Sequence, residues 1–233
     1  MVQIDSFLTK IMGSPCYVTT EPKKLVLGRK SSNPSFISCK INSNNCALLT
    51  DAIRKGFYYI DSQLTFTLPD SVDLSCYKLL KDEWVRPPTK TEFDSILGMI
   101  PGLFHHSRFH ADDNIPNTVA DKIKIEWARN YFQESSKKIP FIIFKKGIPV
   151  GFLLIKLTDG KAVIDLIGIK KEFTNKGFGK KLIYFAKVKF QKDYIIQVGT
   201  QSINKKAIGL YNSCKFQLHE ITHVLHFMGH FNT

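Results

Sequence analysis

The sequence predicts a mixed α/β (α+β) fold in which helices flank a central sheet, preceded by a small N-terminal α/β domain. One observation is a strand, a glycine turn and a helix in direct succession over residues 163–186. Another is a second strand followed by a helix over residues 194–216. The chain has 233 residues, 43% of them hydrophobic and 23% charged, which is enough for one large domain or two smaller ones.

The first 80 residues read as a small α/β unit. Apolar and β-branched stretches predict strands at residues 25–27, 36–37 and 58–68, and a helical pattern predicts a short helix over 47–55 that ends at Gly56. No charge cluster or ligand geometry stands out, so we assign this unit no chemistry. We expect it to form one wall of a cleft or to mediate a homodimer. The predicted domains are therefore 1–80 and 81–233.

A strand near residue 84 gives way to a helix at Thr89. Thr89 is the predicted N-cap, and Glu92 three residues later completes a capping box. Pro101 and Gly102 end the helix.

The loop over residues 103–116 is too rich in polar, aromatic and cationic residues for a simple connector. Arg108 can hold a diphosphate bidentately and Phe109 can stack on a base or sugar ring, with His105 and Ser107 beside them. The alternative is a surface loop that Phe104 and Phe109 pin to the core. Its histidines and aspartates do not predict a metal site, because they lack HExxH or an equivalent spacing on a rigid element.

Residues 140–145 and 148–158 predict a hairpin that leads into a strand over 163–169, which we expect to be buried on both faces. Two glycines one residue apart follow, and then a helix with an apolar stripe and lysines around it. A helix N-terminus with free N–H groups, glycines and lysines is suited to a phosphate. The spacing excludes both the dinucleotide fingerprint and the P-loop, while a purely structural turn stays an alternative. The candidate ligands are Asn175, Lys176, Gly177, Phe178, Gly179 and Lys180.

A second strand, over residues 194–200, is followed by a helix that begins at Asn204. Helical spacing places Ala207, Leu210 and Tyr211 on one face, so that packing of Tyr211 in a core is one interpretation. In the tail, His223 and His226 lie on opposite faces of a strand, which rules out a local chelate and leaves either of them to line a cleft.

Composition limits the partners. A net charge of +13 suits nucleic acid, an anionic membrane surface or small polyanions. The lysines are scattered and few aromatics are interleaved with them, so we expect no nucleic-acid partner. Five cysteines without a CxxC pair indicate reduced thiols. The chain has neither an apolar run of membrane length nor a secretion signal, so we expect a cytoplasmic location without membrane insertion.

Two of these segments resemble motifs of the GNAT acyltransferase superfamily. Residues 174–179, TNKGFG, resemble its acetyl-CoA signature Q/R-x-x-G-x-G/A, with Thr174 in place of the usual Gln or Arg. Residues 204–216 resemble N-x-x-A-x-x-L-Y-x-x-x-G-F, with Lys215 in place of the usual glycine. Residues 85–92, VRPPTKTE, are similar to the usual opening V-R-x-A-T-x-x-D.

A narrower resemblance is to the dTDP-amino-sugar N-acyltransferases of the dTDP-fucosamine acetyltransferase type. That family shows an S-R-F-x-x-D loop followed by an A-D…W-x-x-N helix, matched here by residues 107–112 and 120–130. Residues 198–201 (VGTQ), the HVLH tail at 223–226 and the GF…ID…LTF pattern over 56–66 are also similar. The resemblance covers most of the chain.

The resemblance implies a GNAT fold, in which a mixed, mostly antiparallel central sheet has parallel strands that splay apart. It implies acetyl-CoA or another short acyl-CoA as cosubstrate, no metal, and the amine of a dTDP-linked amino sugar as acceptor. The backbone of Ile167 and Ile169 would hold the thioester arm, and the hydroxyl of Thr174 would join residues 175–180 at the phosphates. Asn204 would also lie at the cofactor.

The resemblance also implies roles in the chemistry. Tyr211, next to the cofactor, would protonate the departing thiolate, and Gln201 would contact the acceptor. The base stays open: Asp165 is the acid within the central strand, but bonding to a neighbouring backbone is an equal alternative, and a water chain can replace a dedicated base.

Two rival functions stay open at this point. One is acetyl transfer to a protein N-terminus or lysine, although the basic 105–116 loop favours an anionic acceptor. The other is a catalytically silent CoA- or nucleic-acid-binding protein, which Thr174, Lys215 and the high positive charge would suit.

Overall fold

The computed structural model describes residues 2–22, 35–133 and 136–229. The strand predicted at 25–27 lies outside these residues. The strands are β1 (Gln3–Ile4), β2 (Cys16–Thr19), β3 (Ser35–Asn42), β4 (Tyr58–Thr67), β5 (Glu83–Arg86), β6 (Lys138–Lys145), β7 (Ile148–Thr158), β8 (Lys161–Ile169), β9 (Ile195–Gln201) and β10 (Gln217–Gly229). The helices are α1 (Ser6–Met12), α2 (Cys46–Arg54), α3 (Lys90–Met99), α4 (Asn117–Arg129), α5 (Phe178–Phe190) and α6 (Lys205–Ser213).

The strands form a single sheet in the order β1-β2-β3-β10-β4-β9-β8-β7-β6-β5. The pairs β2–β3 and β8–β9 are parallel, and the other pairs are antiparallel. The mixed, mostly antiparallel sheet flanked by helices is therefore confirmed. None of the helices among the described residues is long and apolar enough to cross a membrane.

Strands from both predicted domains belong to this one sheet. The late strand β10 lies between β3 and β4, and β4 in turn pairs with β9. A small core around Ile37, Ile41 and Leu225 contains residues from both ends of the chain. The division near residue 80 stays a prediction about how the chain is organised.

Local sequence signals explain where several elements begin and end. The predicted capping box is present: Thr89 Oγ1 accepts from the N–H of Glu92 at 3.4 Å, and the Glu92 carboxylate accepts from the N–H of Thr89 at 2.8 Å. Lys146 and Gly147 both have positive φ, 50° and 80°, which is the conformation of a type I′ hairpin turn between β6 and β7.

The central strand β8 is not buried on both faces along its whole length, contrary to the prediction. Its residues alternate between buried and partly exposed. Asp165 is an extra residue opposite β7, because Leu166 pairs with Leu154 whereas Ile164 pairs with Ile155. This β-bulge shifts the alternation, so that Ile164 and Leu166 pack on opposite sides of the sheet.

Helices cover both sides of the sheet. On the side that we call the α5 face, α5 and α6 bury a core that includes Leu182 and Tyr211. On the other side, the α4 face, α3 and α4 bury Phe93, Ile96 and Ala128. The bulge at Asp165 therefore lies in a strand with a helical layer on each side.

Candidate active site

The parallel strands β8 and β9 pair only over part of their length. Their ladder runs from Lys161 opposite Ile195 to Ile164 opposite Val198, and it stops there. Beyond this point, among the residues that the structure describes, β8 pairs only with β7 and β9 only with β4. A gap therefore opens in the sheet, and on that side the backbone of Ile167 and Ile169 has no strand partner in the described part of the chain. This is the splay that the resemblance implies.

The helix α5 begins with an open N-terminus. Its N-cap is Gly177, with φ 84° and no side-chain cap, and Asn175 just before it also has positive φ, 60°. The first helical hydrogen bond runs from the N–H of Lys181 to the carbonyl of Gly177. The N–H groups of Phe178, Gly179 and Lys180 therefore precede it, which is the arrangement that binds anions at helix N-termini.

The lysines around this N-terminus differ in what they offer a ligand. Lys181 forms an ion pair with Glu83 and is neutralised by it. Lys180 Nζ donates to the Tyr77 hydroxyl at 3.3 Å, and Lys176 lies over the Phe173 ring at 5.2 Å. Lys176 and Lys180 thus lie beside the helix end without a carboxylate partner among the described residues.

Other predicted ligands in this turn are used by the protein itself. The Thr174 hydroxyl donates to the carbonyl of Lys171 at 2.8 Å, so it is not free to donate to a phosphate. The Phe178 ring is buried, which leaves only its backbone for a ligand. A Cβ on Gly179 would lie 3.2 Å from Leu210, so this glycine is also needed for close packing of α5 on α6.

Tyr211 on α6 is buried on the α5 face. Its ring packs against Phe66 at 5.9 Å and Phe216 at 5.6 Å, and Phe66 pairs with Val198, where the β8–β9 ladder stops. Burial raises the pKa of its hydroxyl. This hydroxyl has no hydrogen-bond partner within the residues that the structure describes. Tyr211 therefore combines core packing with a free, protonated hydroxyl close to the gap.

Asn204 has a structural position at the start of α6, and its contact with a cofactor stays a prediction. Its side chain caps α6 by accepting from the N–H of Ala207 at 3.2 Å. The predicted contact with a cofactor therefore competes with the helix cap.

Asp165, in the bulge, is held from the α4 face. Its Oδ2 accepts from Trp127 Nε1 and from the Tyr131 hydroxyl, each at 2.6 Å. The partners are thus side chains of α4 and of the turn after it, rather than a neighbouring backbone. Trp127 and Tyr131 were not predicted as site residues, although their i, i+4 spacing gives two polar groups on one helical face.

The loop after α3 is fixed by its own side chains. Phe109 is 2% exposed and packs on Phe36 and His226, so it does not offer a ring face to a ligand, contrary to the prediction. Ser107 is also buried, with its Oγ 2.6 Å from His110 Nδ1, and His105 is exposed.

Arg108 in this loop is partly exposed, unlike Ser107 and Phe109. Its guanidinium lies 4.7 Å from the centre of the Phe109 ring, and its buried Nε has no hydrogen-bond partner within the described residues. Burial lowers the pKa of Arg108 to about 10, so the group stays charged at neutral pH.

Two lysines on the α4 face were missed by sequence reasoning. Lys40 in β3 donates to Gln63 Oε1 at 2.8 Å, and Lys124 in α4 lies over the rings of Phe104 and Trp127. Burial, followed by the nearby positive charge of Arg108, lowers the pKa of each lysine to about 8. Lys40 belongs to the segment to which we assigned no chemistry, and only the long-range strand order brings it here.

Gln201 and His226 complete the α4 face, whereas His223 lies on the opposite side of β10, with Nδ1 2.9 Å from Ser62 Oγ. Gln201 lies opposite Gln63 in the β4–β9 ladder, and its Oε1 is buried without a hydrogen-bond partner in the described part of the chain. His226 is fully buried rather than lining a cleft, with Nδ1 2.7 Å from Asp112 Oδ2. Within residues 2–22, 35–133 and 136–229, no group of three His, Cys, Asp or Glu side chains is placed to hold a metal ion.

A gapped parallel ladder beside an open helix N-terminus defines the GNAT class of fold. Residues 106–216 match the model of the Acetyltransferase (GNAT) family. This match and the fold support the acyltransferase class, with acyl-CoA as cosubstrate. A comparison with curated proteins gives no match.

Solved structures share the fold at low sequence identity. A functionally unknown conserved protein from Staphylococcus epidermidis ATCC 12228 has a TM-score of 0.63 and 13% identity, over 93% of this chain and 84% of that chain. A GCN5-related N-acetyltransferase from Sphaerobacter thermophilus has a TM-score of 0.55 and 11% identity, over 85% of this chain and 61% of that one. The PaiA N-acetyltransferase from Thermoplasma acidophilum, solved with coenzyme A, has a TM-score of 0.50 and 16% identity, over 62% and 97% respectively.

Proposed function

We propose that the chain transfers an acyl group from acyl-CoA to the amine of a nucleotide-linked amino sugar of the dTDP type. The observation that carries the proposal is the gap between β8 and β9 beside the uncapped N-terminus of α5. An extended thioester arm fits beside unpaired backbone, and phosphates fit at a helix N-terminus that has no side-chain cap. The proposal includes a cytoplasmic location and a product used in surface polysaccharide.

The reaction forms a C–N bond and breaks a C–S bond. The neutral amine attacks the thioester carbonyl, whose developing negative charge a backbone N–H near Ile167 or Ile169 can stabilise. One such donor contributes roughly 2.7–4 kcal/mol to an acyl-transfer transition state. The departing thiolate takes a proton from the Tyr211 hydroxyl, which the raised pKa keeps protonated at neutral pH.

The proton lost by the amine leaves on the α4 face. Asp165 Oδ1 accepts no hydrogen bond from any described residue, while Oδ2 is held by Trp127 and Tyr131. The carboxylate is thus fixed in orientation with one oxygen free, so we assign it, directly or through a water, as the acceptor of this proton.

The amino-sugar acceptor is supported by the resemblance of the loop and helix over residues 107–130 and by the positive charge of Arg108 in that loop. Arg108 replaces Phe109 as the main recognition residue of this loop, because the phenylalanine is in the core.

The test is release of free thiol from acetyl-CoA and from hydroxybutyryl-CoA, each mixed with dTDP-sugars aminated at C3 or C4, with mass spectrometry of the product. We expect one combination to give an N-acylated nucleotide sugar. No thiol release with any sugar, from a protein that still binds CoA, would overturn the amino-sugar acceptor. Transfer to peptide amines in the same assay would assign the acceptor to protein instead.

A further inference from the structure

Three cationic side chains from distant segments meet on the α4 face. Lys40 comes from β3, Arg108 from the loop after α3 and Lys124 from α4. Strand register places Lys40 there: its ammonium reaches across β10 to Gln63, and Gln63 lies opposite Gln201 at the end of β9. The cluster therefore lies on the same side of the sheet as Gln63 and Gln201.

All three cations are partly buried rather than fully exposed. Each lies deep enough for burial to be the main cause of its lowered pKa, yet each side chain keeps some exposed area. The positive charges of Arg108 and Lys124 contribute to the lowered pKa of Lys40, and the charge of Arg108 contributes to that of Lys124. The three charges are therefore close enough to repel one another. Such a group is costly to keep without a counter-ion.

No carboxylate among the described residues forms an ion pair with any of these cations. Asp165 is the acid that favours the charged form of both lysines, but its Oδ2 already accepts two hydrogen bonds. Of the three cations, Asp5 favours the charged form of Arg108 alone, and its side chain caps α1. Glu220 favours the charged form of Lys40 alone, and its carboxylate accepts from Asn42. The buried Arg108 Nε also lacks a hydrogen-bond partner there.

We propose that Lys40, Arg108 and Lys124 form a binding site for the diphosphate of the acceptor. This inference rests on the proposed function, which it deepens by assigning the acceptor's anion to particular residues. The site lies on the α4 face, whereas the open N-terminus of α5 lies on the other face. Two phosphate-bearing molecules thus bind on opposite sides of the sheet, and the gap joins them.

The donor set fits a diphosphate better than a single carboxylate. A guanidinium offers planar, paired N–H donors, and the two ammonium groups act as point charges that suit phosphoryl oxygens. Three cations around one carboxylate group would leave most of the repulsion in place, whereas a diphosphate presents oxygens to all of them.

Isothermal titration of the full chain with thymidine diphosphate and with inorganic pyrophosphate tests this site without needing turnover. We expect both to bind while CoA is present at saturation.

Lys124→Met and Lys40→Met should each weaken binding of thymidine diphosphate by about tenfold or more, since each removes a charged hydrogen-bond donor. Lys122→Met, an exposed lysine on the same helix α4, is the matched control and should stay within about twofold. The affinity for CoA should be unchanged in all variants.

Loss of thymidine diphosphate binding on addition of CoA would overturn the inference, because both ligands would then use the N-terminus of α5. Affinities within twofold of wild type in Lys40→Met and Lys124→Met would overturn it as well. Binding of glucuronate at these residues, with no binding of pyrophosphate, would replace the diphosphate by a carboxylate. Lys124→Arg should restore most of the affinity that Lys124→Met loses, which separates loss of charge from misfolding.

The outcomes for this site and for the proposed function are distinguishable. If thymidine diphosphate binds through Lys40 and Lys124 but no amino sugar is acylated, the site stands and the proposed acceptor amine fails. If dTDP-amino sugars are acylated, and Lys40→Met and Lys124→Met keep the wild-type KM for them, the proposed function stands and this site fails.

Discussion

Tyr211 combines a buried ring with a hydroxyl that has no partner among the described residues. The ring contacts Phe66 and Phe216, so that its packing contribution does not depend on the oxygen. Tyr211→Phe should therefore keep the fold and remove only the proton donor. We expect kcat to fall about 10²- to 10⁴-fold, with the dissociation constant of CoA within about twofold of wild type. Steady-state kinetics and calorimetry measure the two effects separately.

The control is Tyr184→Phe, which removes a hydroxyl from α5 without touching the proposed site. It should leave kcat unchanged. If Tyr211→Phe turns over at the wild-type rate, Tyr211 is a core residue and the thiolate takes its proton from elsewhere.

The structure separates motif residues whose polar atoms have partners or are absent from those whose polar atoms stay unpaired in the described part of the chain. The sequence motif S-R-F singled out Ser107, Arg108 and Phe109 together, but only Arg108 keeps polar atoms without partners. The side chains that hold Asp165 were not recognised, because Trp127 and Tyr131 read equally well as helix core. A local pattern gives residue types and spacing, and it does not give the direction in which a side chain points.

At the scale of the element, the turn before α5 depends on Gly177. Its φ of 84° is a conformation that β-branched residues avoid, and it sets the direction of the first N–H groups. Gly177→Val should destabilise the protein by about 1–2 kcal/mol and weaken CoA binding. Chemical denaturation and calorimetry measure these changes.

Gly209→Ala in α6 is the matched control, because a Cβ there meets nothing within 4 Å. It should stabilise the protein by about 0.5–1 kcal/mol, since glycine is unfavourable inside a helix, and leave CoA binding unchanged. Wild-type CoA affinity in Gly177→Val would contradict the assignment of this turn to the phosphates.

Elements with strong local signals were predicted close to their observed bounds. The capping box at Thr89, the Lys146-Gly147 hairpin and the helices after Gly177 and Asn204 are examples, because caps and turns are set by neighbours in sequence. The bulge at Asp165 was missed because it depends on register with β7. Of the proposed cation site on the α4 face, the sequence predicted only Arg108, which lies in a motif. Lys40 was missed because strand pairing, rather than local sequence, places it there.

At the scale of the whole molecule, β10 joins the two ends of the chain. It pairs with β3 on one side and with β4 on the other, and β4 continues through β9 to the gap. A change in the early strands can therefore reach the candidate site through the sheet. The position of Lys40 relative to Asp165 depends on this continuity.

The buried contact between His226 and Asp112 fastens the loop over residues 103–116 to this sheet. Asp112 also accepts from the Tyr58 hydroxyl and from Asn114, and the His226 ring packs on Phe36. Burial lowers the pKa of His226, so the ring is neutral at neutral pH and donates from Nδ1. Although burial opposes ionisation of Asp112, the hydrogen bonds from His226 and Asn114 hold its pKa below the usual value, so it stays a carboxylate.

His226→Phe keeps a ring in place and removes the donor to a buried carboxylate. We expect a loss of about 1.5–3 kcal/mol in the free energy of unfolding at pH 7, the range for a hydrogen bond to a charged group. The histidine has a lower pKa in the folded than in the unfolded state, so the unfolded chain binds an extra proton as pH falls through about 6.5. Wild-type stability therefore decreases over pH 7 to 5 by a contribution that His226→Phe lacks, and the difference between the two proteins narrows.

Denaturant unfolding at pH 7, 6 and 5 measures this difference in stability, with the exposed His219→Phe on the same strand as control. Parallel pH profiles for wild type and His226→Phe would show that His226 does not couple the loop to the sheet through this bond.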